Sequence, residues 1–308
     1  MKLTQMRDMV AVVERGSLRA AARHLNLAQP ALTRSIGALE RELGVTLFER
    51  QSRGMVLTSA GMLFHRRASA VVNEVRRARE DFAQTGGDMR GSIAVGLSIM
   101  PHMGMLPEAL PLFKTRYPQV RLKIIEGLYP SMEAGLLDGS IDFYLGASPR
   151  GEPADGLITQ TLFHNTRTVI GRKGHPLTSA KSIRELAGAQ WATTTIDFNA
   201  GTDLNELFAK YKLPPPLITL QTHSALSVMV ALSSCDLLAI LPAQWNEFPL
   251  TAGVLQVVDI KEKLPAPDIV MIRRPDLPLT PAADHFCDLL KRCVPAGSVQ
   301  VRHPQRGP

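Results

Sequence analysis

Residues 26–40 read NLAQPALTRSIGALE and gather Gln29, Pro30, Thr33 and Arg34 into two turns of a helical repeat. These side chains suit one chemistry. A glutamine amide can pair with adenine, an arginine can fork onto guanine O6 and N7, and a threonine can meet a polar base edge or a thymine methyl. Gly37 and Ala38 stay small enough for the helix to lie close to such a surface. Ala31, Ser35 (or Ile36) and Leu39 recur on the opposite side as the face to bury. Arg50 and Arg53, in FERQSRGM, suit phosphate or a minor groove, where a charge positions a protein without reading sequence.

A second group of polar side chains lies in loops further along. SIMPHMG, EGLYPS, GASPR, TIDFNAG and QTHSA offer Ser98, His102, Ser131, Thr195, Asn199, Thr202 and His223. Hydroxyls beside the N–H groups of helix starts suit a carboxylate or a sulfonate. Met100, Met103, Tyr129 and Phe198 could face its aromatic or alkyl body. Catalytic signatures are missing: G-x-S-x-G, a P-loop, H-E-x-x-H and G-x-G-x-x-G do not occur, so no catalytic residue is assigned. Cys235, Cys287 and Cys293 are odd in number and lack zinc spacing, so three reduced thiols are expected, with no metal site and no cofactor.

Several elements must position these groups. Met6, Met9, Val10 and Val13 mark a first helix ending at Gly16; Ser17 caps a second, LRAAARHLN. Pro30 opens a third, where its missing N–H costs nothing, and that helix runs to Gly44. Two extended segments around the QSRG turn read as a hairpin, or wing. From Ser59 to Gly86 the helical pattern is unbroken. Phe64, Ala68, Val71, Val75, Ala78 and Phe82 form an a/d seam flanked by Arg66, Arg67, Arg76, Arg77, Arg79 and Glu80, as in a dimerising helix. Beyond Gly91, nine strand-like segments alternate with helices: SIAVGLS, VRLKIIEG, IDFYLGA, TVIGR, WATTT, ITLQT, LLAILP, VLQVVDI and DIVMIRR. That texture predicts two small α/β subdomains with parallel sheets. The tail AGSVQVRHPQRGP reads as disordered.

Charge follows the same division. Residues 1–90 hold 15 Lys/Arg against 9 Asp/Glu, and residues 91–308 hold 20 against 19. Almost the whole net charge of +7 lies in the first third, which favours a polyanion partner there and a separate role for the rest. A hydrophobic content of 45% with mean hydropathy near zero fits a globular, soluble chain without a membrane span, and the N-terminus lacks a secretory core.

The segment GSLRAAARHLNLAQPALTRSIGALERELGVTLFERQSRGMVLTSAG resembles the winged helix-turn-helix of the LysR-type transcriptional regulators nearly position for position. The resemblance extends over the linker helix and the α/β region. It implies base contacts by Gln29, Pro30, Thr33 and Arg34, and backbone contacts from the wing around Arg53. It also implies an effector domain like that of periplasmic binding proteins, two Rossmann-like halves joined by two crossover strands, with Ser98 in the loop that holds effector oxygens. GLYPSMEAGLLDGSIDF, with PDLPLTPAADHF, looks like the branch containing a toluenesulfonate-responsive regulator.

The expected division is a DNA-binding domain over 1–58, a linker helix over 59–87, an effector domain over 91–296 and a disordered tail over 297–308. Within the effector domain, subdomain I takes 91–163 and 267–296, and subdomain II takes 164–266. The expected partners are double-stranded DNA with a partly palindromic operator and a small organic carboxylate or sulfonate. Ser98, Met100, His102, Tyr129, Ser131, Phe198, Asn199, Thr202 and His223 are expected to hold the latter. A homodimer through the linker helix, assembling to a homotetramer, is implied by the resemblance; RNA polymerase is a further candidate partner. The expected location is the cytoplasm, on the nucleoid. Alternatives are a redox-responsive regulator using Cys235, a ligand-independent DNA binder, and a catalytic α/β domain fused to a DNA anchor.

Overall fold

The computed structural model describes residues 1–51, 54–87, 89–194, 202–222, 224–275, 278–294 and 299–300. Helix α1 (Leu3–Arg15) stops at Gly16, which turns the chain with a φ of 70° that a residue bearing a Cβ resists. Helix α2 (Leu18–His24) starts where the Ser17 hydroxyl accepts the Ala20 N–H at 3.2 Å. Helix α3 (Gln29–Leu43) begins with Pro30 in its first turn and ends at Gly44. Met9, Val12, Leu18, Ala21, Leu32, Ile36 and Leu39 close a small core among the three.

The buried stripe of α3 is Leu32, Ile36 and Leu39: Leu39 and the alternative Ile36 are buried as expected, while Leu32 takes the place of Ala31 and Ser35 is only partly buried. Larger apolar side chains win the inward positions because they remove more surface from water. Ser35 instead donates to the buried carboxylate of Asp8 at 2.6 Å, and Arg7 donates to the same carboxylate at 3.1 Å.

Strands β1 (Phe48–Gln51) and β2 (Gly54–Leu57) form the expected hairpin, with Phe48 opposite Leu57 and Arg50 opposite Met55. Glu40, near the end of α3, accepts the N–H groups of Leu47 (2.7 Å) and Phe48 (3.3 Å), so wing and α3 are held as one body. Helix α4 (Ser59–Thr85) starts under Thr58, whose hydroxyl accepts the Gly61 N–H at 2.9 Å and donates to Thr46 O at 2.7 Å. Its 27 residues extend about 40 Å.

The chain then builds two sheets. The first half contains β3 (Gly91–Leu97), α5 (Ile99–Gly104), α6 (Leu106–Arg116), β4 (Val120–Glu126), α7 (Tyr129–Asp138), β5 (Phe143–Ala147) and β6 (Ile158–His164). After the crossover come β7 (Arg167–Arg172), β8 (Gln190–Thr193), α8 (Thr202–Lys210), β9 (Leu217–Gln221), α9 (Ala225–Ser234), β10 (Leu237–Pro242), α10 (Gln244–Glu247), α11 (Pro249–Ala252) and β11 (Leu255–Val258). The return brings β12 (Ile269–Arg273), α12 (Pro281–Arg292) and β13 (Val299–Gln300) back to the first sheet. The sheet orders are β13-β6-β12-β5-β3-β4 and β11-β7-β10-β8-β9.

All nine strand-like segments form strands, but the sheets are mixed rather than parallel. β3 runs parallel to β4 and β5, and β8 parallel to β9 and β10. The strands flanking the crossovers, β7 and β12, pair antiparallel to their neighbours. A chain that leaves one sheet and returns through a second crossover must reverse direction there.

Three further differences have physical causes. β6 was not anticipated: its polar run ITQTLFH buries only Phe163 fully, so its alternation is faint. SIMPHMG is not a loop but carries α5, because Pro101 falls in the first turn, where the proline ring clashes with nothing. In the tail expected to be disordered, Val299 pairs with His164 and Gln300 with Phe163 along the open edge of β6.

Candidate nucleic-acid interface and ligand cleft

Gln29, Pro30, Thr33 and Arg34 all lie exposed on the first two turns of α3, whose Leu32, Ile36 and Leu39 are buried. Thr33 donates its hydroxyl to Gln29 O at 3.0 Å. Arg50 lies in β1, at the wing; Arg53 lies outside the described residues.

Between the two sheets lies a cavity of about 690 Å³. Its wall is built from the C-terminal ends of β3, β4, β5, β8 and β10 and from both crossovers, the position where open α/β sheets take ligands. Ser98, Met100 and Tyr129 line it as expected. The Ser98 hydroxyl accepts the Ala147 N–H at 3.2 Å, which ties the end of β3 to the end of β5. Tyr129 donates to Glu133 (2.7 Å) and accepts from Ala154 N (3.0 Å); burial pushes its phenol up to about 12, so it stays neutral. His102 and Ser131 are not on the cavity wall. His102 Nδ1 lies 3.1 Å from Ser98 O, and Ser131 donates to Leu128 O at 2.8 Å, so both serve their own helix starts. Thr195, Phe198, Asn199 and His223 lie outside the described residues, and of Thr202 only its place at the start of α8 is described.

The strongest charges on the wall were not anticipated. Arg150, in the GASPR loop, pairs across the cleft with Asp203 of α8. Arg167, from the first crossover, binds the other oxygen of Asp203 at 3.1 Å. Burial presses the Arg167 pKa down while Asp203 opposes it. A second bridge crosses the cleft where Ala225 N, opening α9, donates to Glu126 at 3.1 Å. Nothing in the local sequence marks these groups, because each partner lies far along the chain.

Helix α4 is fastened to the first sheet by polar contacts. Arg77 is buried there rather than flanking the seam in solvent. It donates to Gly139 O at 2.9 Å and pairs with Asp142 at 2.9 Å, while Asp142 accepts Ala94 N at 2.7 Å. Asn73 donates to Asp138 O, Glu80 accepts Ser92 N, and Gln84 accepts Ala282 N. Of the a/d seam, Ala68 is buried, Phe64 and Val75 are half-buried, and Val71, Ala78 and Phe82 are exposed, Phe82 to 85%.

Comparison with known proteins decides the family. The profile of bacterial regulatory helix-turn-helix proteins of the lysR family matches residues 3–62, and that of the LysR substrate binding domain matches residues 86–294. The chain belongs to the LysR family of transcriptional regulators. This LysR regulator is 28% identical over 277 residues to the HTH-type transcriptional regulator GalR of Pseudomonas putida, covering 89% of this chain and 69% of that one. It is 29% identical over 295 residues to the SDS degradation transcriptional activation protein of a Pseudomonas species, covering 94% and 95%. Its fold matches CbnR with a TM-score of 0.69 at 22% identity, covering 96% of this chain and 100% of that one. It matches full-length OxyR from Pseudomonas aeruginosa with a TM-score of 0.73 at 22% identity, covering 98% and 99%. The relatives are DNA-binding regulators rather than enzymes, and this LysR regulator is likewise a DNA-binding transcriptional regulator with an effector-binding domain. No described helix is long and apolar enough to cross a membrane.

The thiols of this LysR regulator differ sharply in access. Cys235 is exposed, whereas Cys287 is buried against Met271 and burial pushes its thiol up to about 11. A thiol-selective reagent at pH 8 is expected to label Cys235 in the native protein and to reach Cys287 only after unfolding, because the thiolate is the reactive form. Equal labelling rates by mass spectrometry would contradict the burial of Cys287.

Proposed function

We propose that the first two turns of α3 read an operator in the major groove through Gln29, Pro30, Thr33 and Arg34, with Arg50 and Arg53 of the wing on the backbone. The observation that carries this reading is the exposed polar front of α3 over a fully packed apolar back. The charge surplus of the first ninety residues supports it, since phosphate attraction supplies affinity while base edges supply sequence. Residues 1–58 form the DNA-binding unit and 59–87 the linker. The effector domain is 91–296, with subdomain I at 91–163 and 267–296 and subdomain II at 164–266. The exposed apolar side chains of α4, Val71 and Phe82 above all, fit a second copy, and two copies call for a partly palindromic operator. Assembly to tetramers, a cytoplasmic site on the nucleoid and contact with RNA polymerase follow from the family reading.

The cleft is the effector site in this proposal, and its ligand is a small organic carboxylate or sulfonate; the likeness of GLYPSMEAGLLDGSIDF to the toluenesulfonate-responsive branch supports the sulfonate arm. Arg167 supports an anion, as do Ser98 and the aromatic wall of Tyr129. Binding there alters how the halves close and, through α4, how the DNA-binding units are spaced. Met100 completes the apolar side of the wall. Phe198, Asn199, Thr202 and His223 remain candidate ligand contacts, with His102 and Ser131 as supports of the loops that carry the site.

Arg34→Ala tests the DNA reading. The expected loss is about 1–3 kcal/mol, confined to particular base positions in a binding profile over many sequences. Uniform weakening would reduce Arg34 to a phosphate contact. For the cleft, a carboxylate or sulfonate at a hundred times its Kd is expected to add ~2.7 kcal/mol to stability, read as a rise in melting temperature. A panel in which neutral sugars raise it and no acid does would contradict the anion site.

A further inference from the structure

Asp203, in the first turn of α8, divides its carboxylate between two arginines of the cavity wall. One oxygen pairs with Arg150 of the first half, and the other accepts from Arg167 of the first crossover at 3.1 Å. Arginines grip a small acid in this way, with N–H groups on both of its oxygens. Here the acid belongs to the protein itself, and it reaches Arg150 from the opposite half. Glu206, further along α8, comes within 4.0 Å of Arg150.

Access to water separates this cluster from the buried pair that fastens α4. The side chains of Arg150, Arg167 and Asp203 are 61%, 20% and 33% exposed and all three line the cavity, whereas Arg77 and Asp142 are 6% and 3% exposed. An ion pair open to water contributes little, so a competing anion can exchange with it at small cost. Asp203 keeps a favourable place after such an exchange, because the first turn of a helix stabilises negative charge. Arg167 lacks that freedom: burial works against its charge, so it calls for a counter-anion.

We propose that Asp203 is a built-in stand-in for the acid group of the ligand, and that a small carboxylate or sulfonate entering the cleft takes Arg150 and Arg167 by displacing it. The inference rests on the reading of the cleft as an organic-anion site; it names the groups that hold the anion and the one that competes with it. Arg150 and Asp203 belong to different halves, so the exchange unties α8 from the first half while the Glu126–Ala225 contact stays. No covalent bond is made or broken.

The test is calorimetric titration of the full chain with benzoate, hexanoate and 4-toluenesulfonate, with benzamide as a neutral control. Asp203→Asn keeps the shape and removes the competing charge. It is expected to bind the acids at least about tenfold tighter than the wild type and benzamide no differently. Asp203→Glu, which keeps the charge, should stay near the wild type, and the gain should vanish when Arg167→Gln is added to Asp203→Asn. Equal acid affinity in the wild type and Asp203→Asn, with Arg167→Gln still weakening the acids, would overturn the inference and leave the anion site standing. An equal gain for benzamide would do the same, since it would mark a loosened cleft rather than a released anion site. Failure of all three acids to bind either protein, or acid binding indifferent to Arg167→Gln, would overturn the anion site and the inference together.

Discussion

Arg77→Ala is expected to destabilise the protein by about 3–5 kcal/mol and to free α4 from the effector domain. Arg77 and Asp142 are only 6% and 3% exposed, and their 2.9 Å contact ties the linker helix to the first sheet. Burial pushes the Asp142 carboxyl up and the Arg77 guanidinium down, so desolvation works against each charge and the partner offsets it. Removing Arg77 strands a buried carboxylate beside Ala94 and leaves Gly139 O and Ile141 O without its donors. The double variant Arg77→Met, Asp142→Leu should recover most of the loss, since an apolar pair of similar volume replaces a buried ion pair at little cost. Melting curves, together with trypsin cleavage near residue 90, would register both effects. A single variant that melts and resists trypsin like the wild type would show that the pair does not hold the linker.

The second large effect is expected at Gly61. A Cβ on this residue would lie 2.0 Å from Leu47 O and 3.0 Å from the Leu57 side chain, so either the first turn of α4 or the wing must move. Gly61→Ala should cost about 1–3 kcal/mol through overpacking, although alanine favours a helix, and should weaken DNA binding because the wing is displaced. Gly37 provides the contrast within α3. Its nearest neighbour to an added Cβ is the flexible end of Arg41 at 3.4 Å, so Gly37→Ala should stabilise the helix by up to about 1 kcal/mol. Chemical denaturation of the two variants should show shifts of opposite sign; shifts of the same sign would contradict the packing at the α4 start.

The helix-turn-helix was legible because its signals are local. Ser17 caps α2, Pro30 opens α3, and Gly16 and Gly44 end helices in left-handed conformations. Nine strands were legible from their alternation, β6 and β13 were not, and α4 was legible from its unbroken helical pattern. What escaped was polar pairing between distant segments. Asp8 with Ser35, Arg77 with Asp142 and Arg150 with Asp203 join positions whose local patterns say only that a charge or hydroxyl is present. The cleft shows the same limit. Ser98, Met100 and Tyr129 could be placed because they follow strand ends, whereas Asn165, Arg167 and Asp203 reach the wall only through the crossover and the facing sheet. His102 and Ser131 resembled ligand groups in type, but each is spent on a carbonyl within four residues of itself.

The most direct test of a sequence-reading regulator is selection of full-length protein against a random duplex library at a fixed, near-physiological salt concentration. The account predicts enrichment of paired half-sites related by a two-fold axis and centred whole helical turns apart, with positions that lose their preference in Arg34→Ala. Recovery of an unenriched library, bound in steep proportion to falling salt, would contradict it and leave the N-terminal domain as a sequence-indifferent polyanion binder.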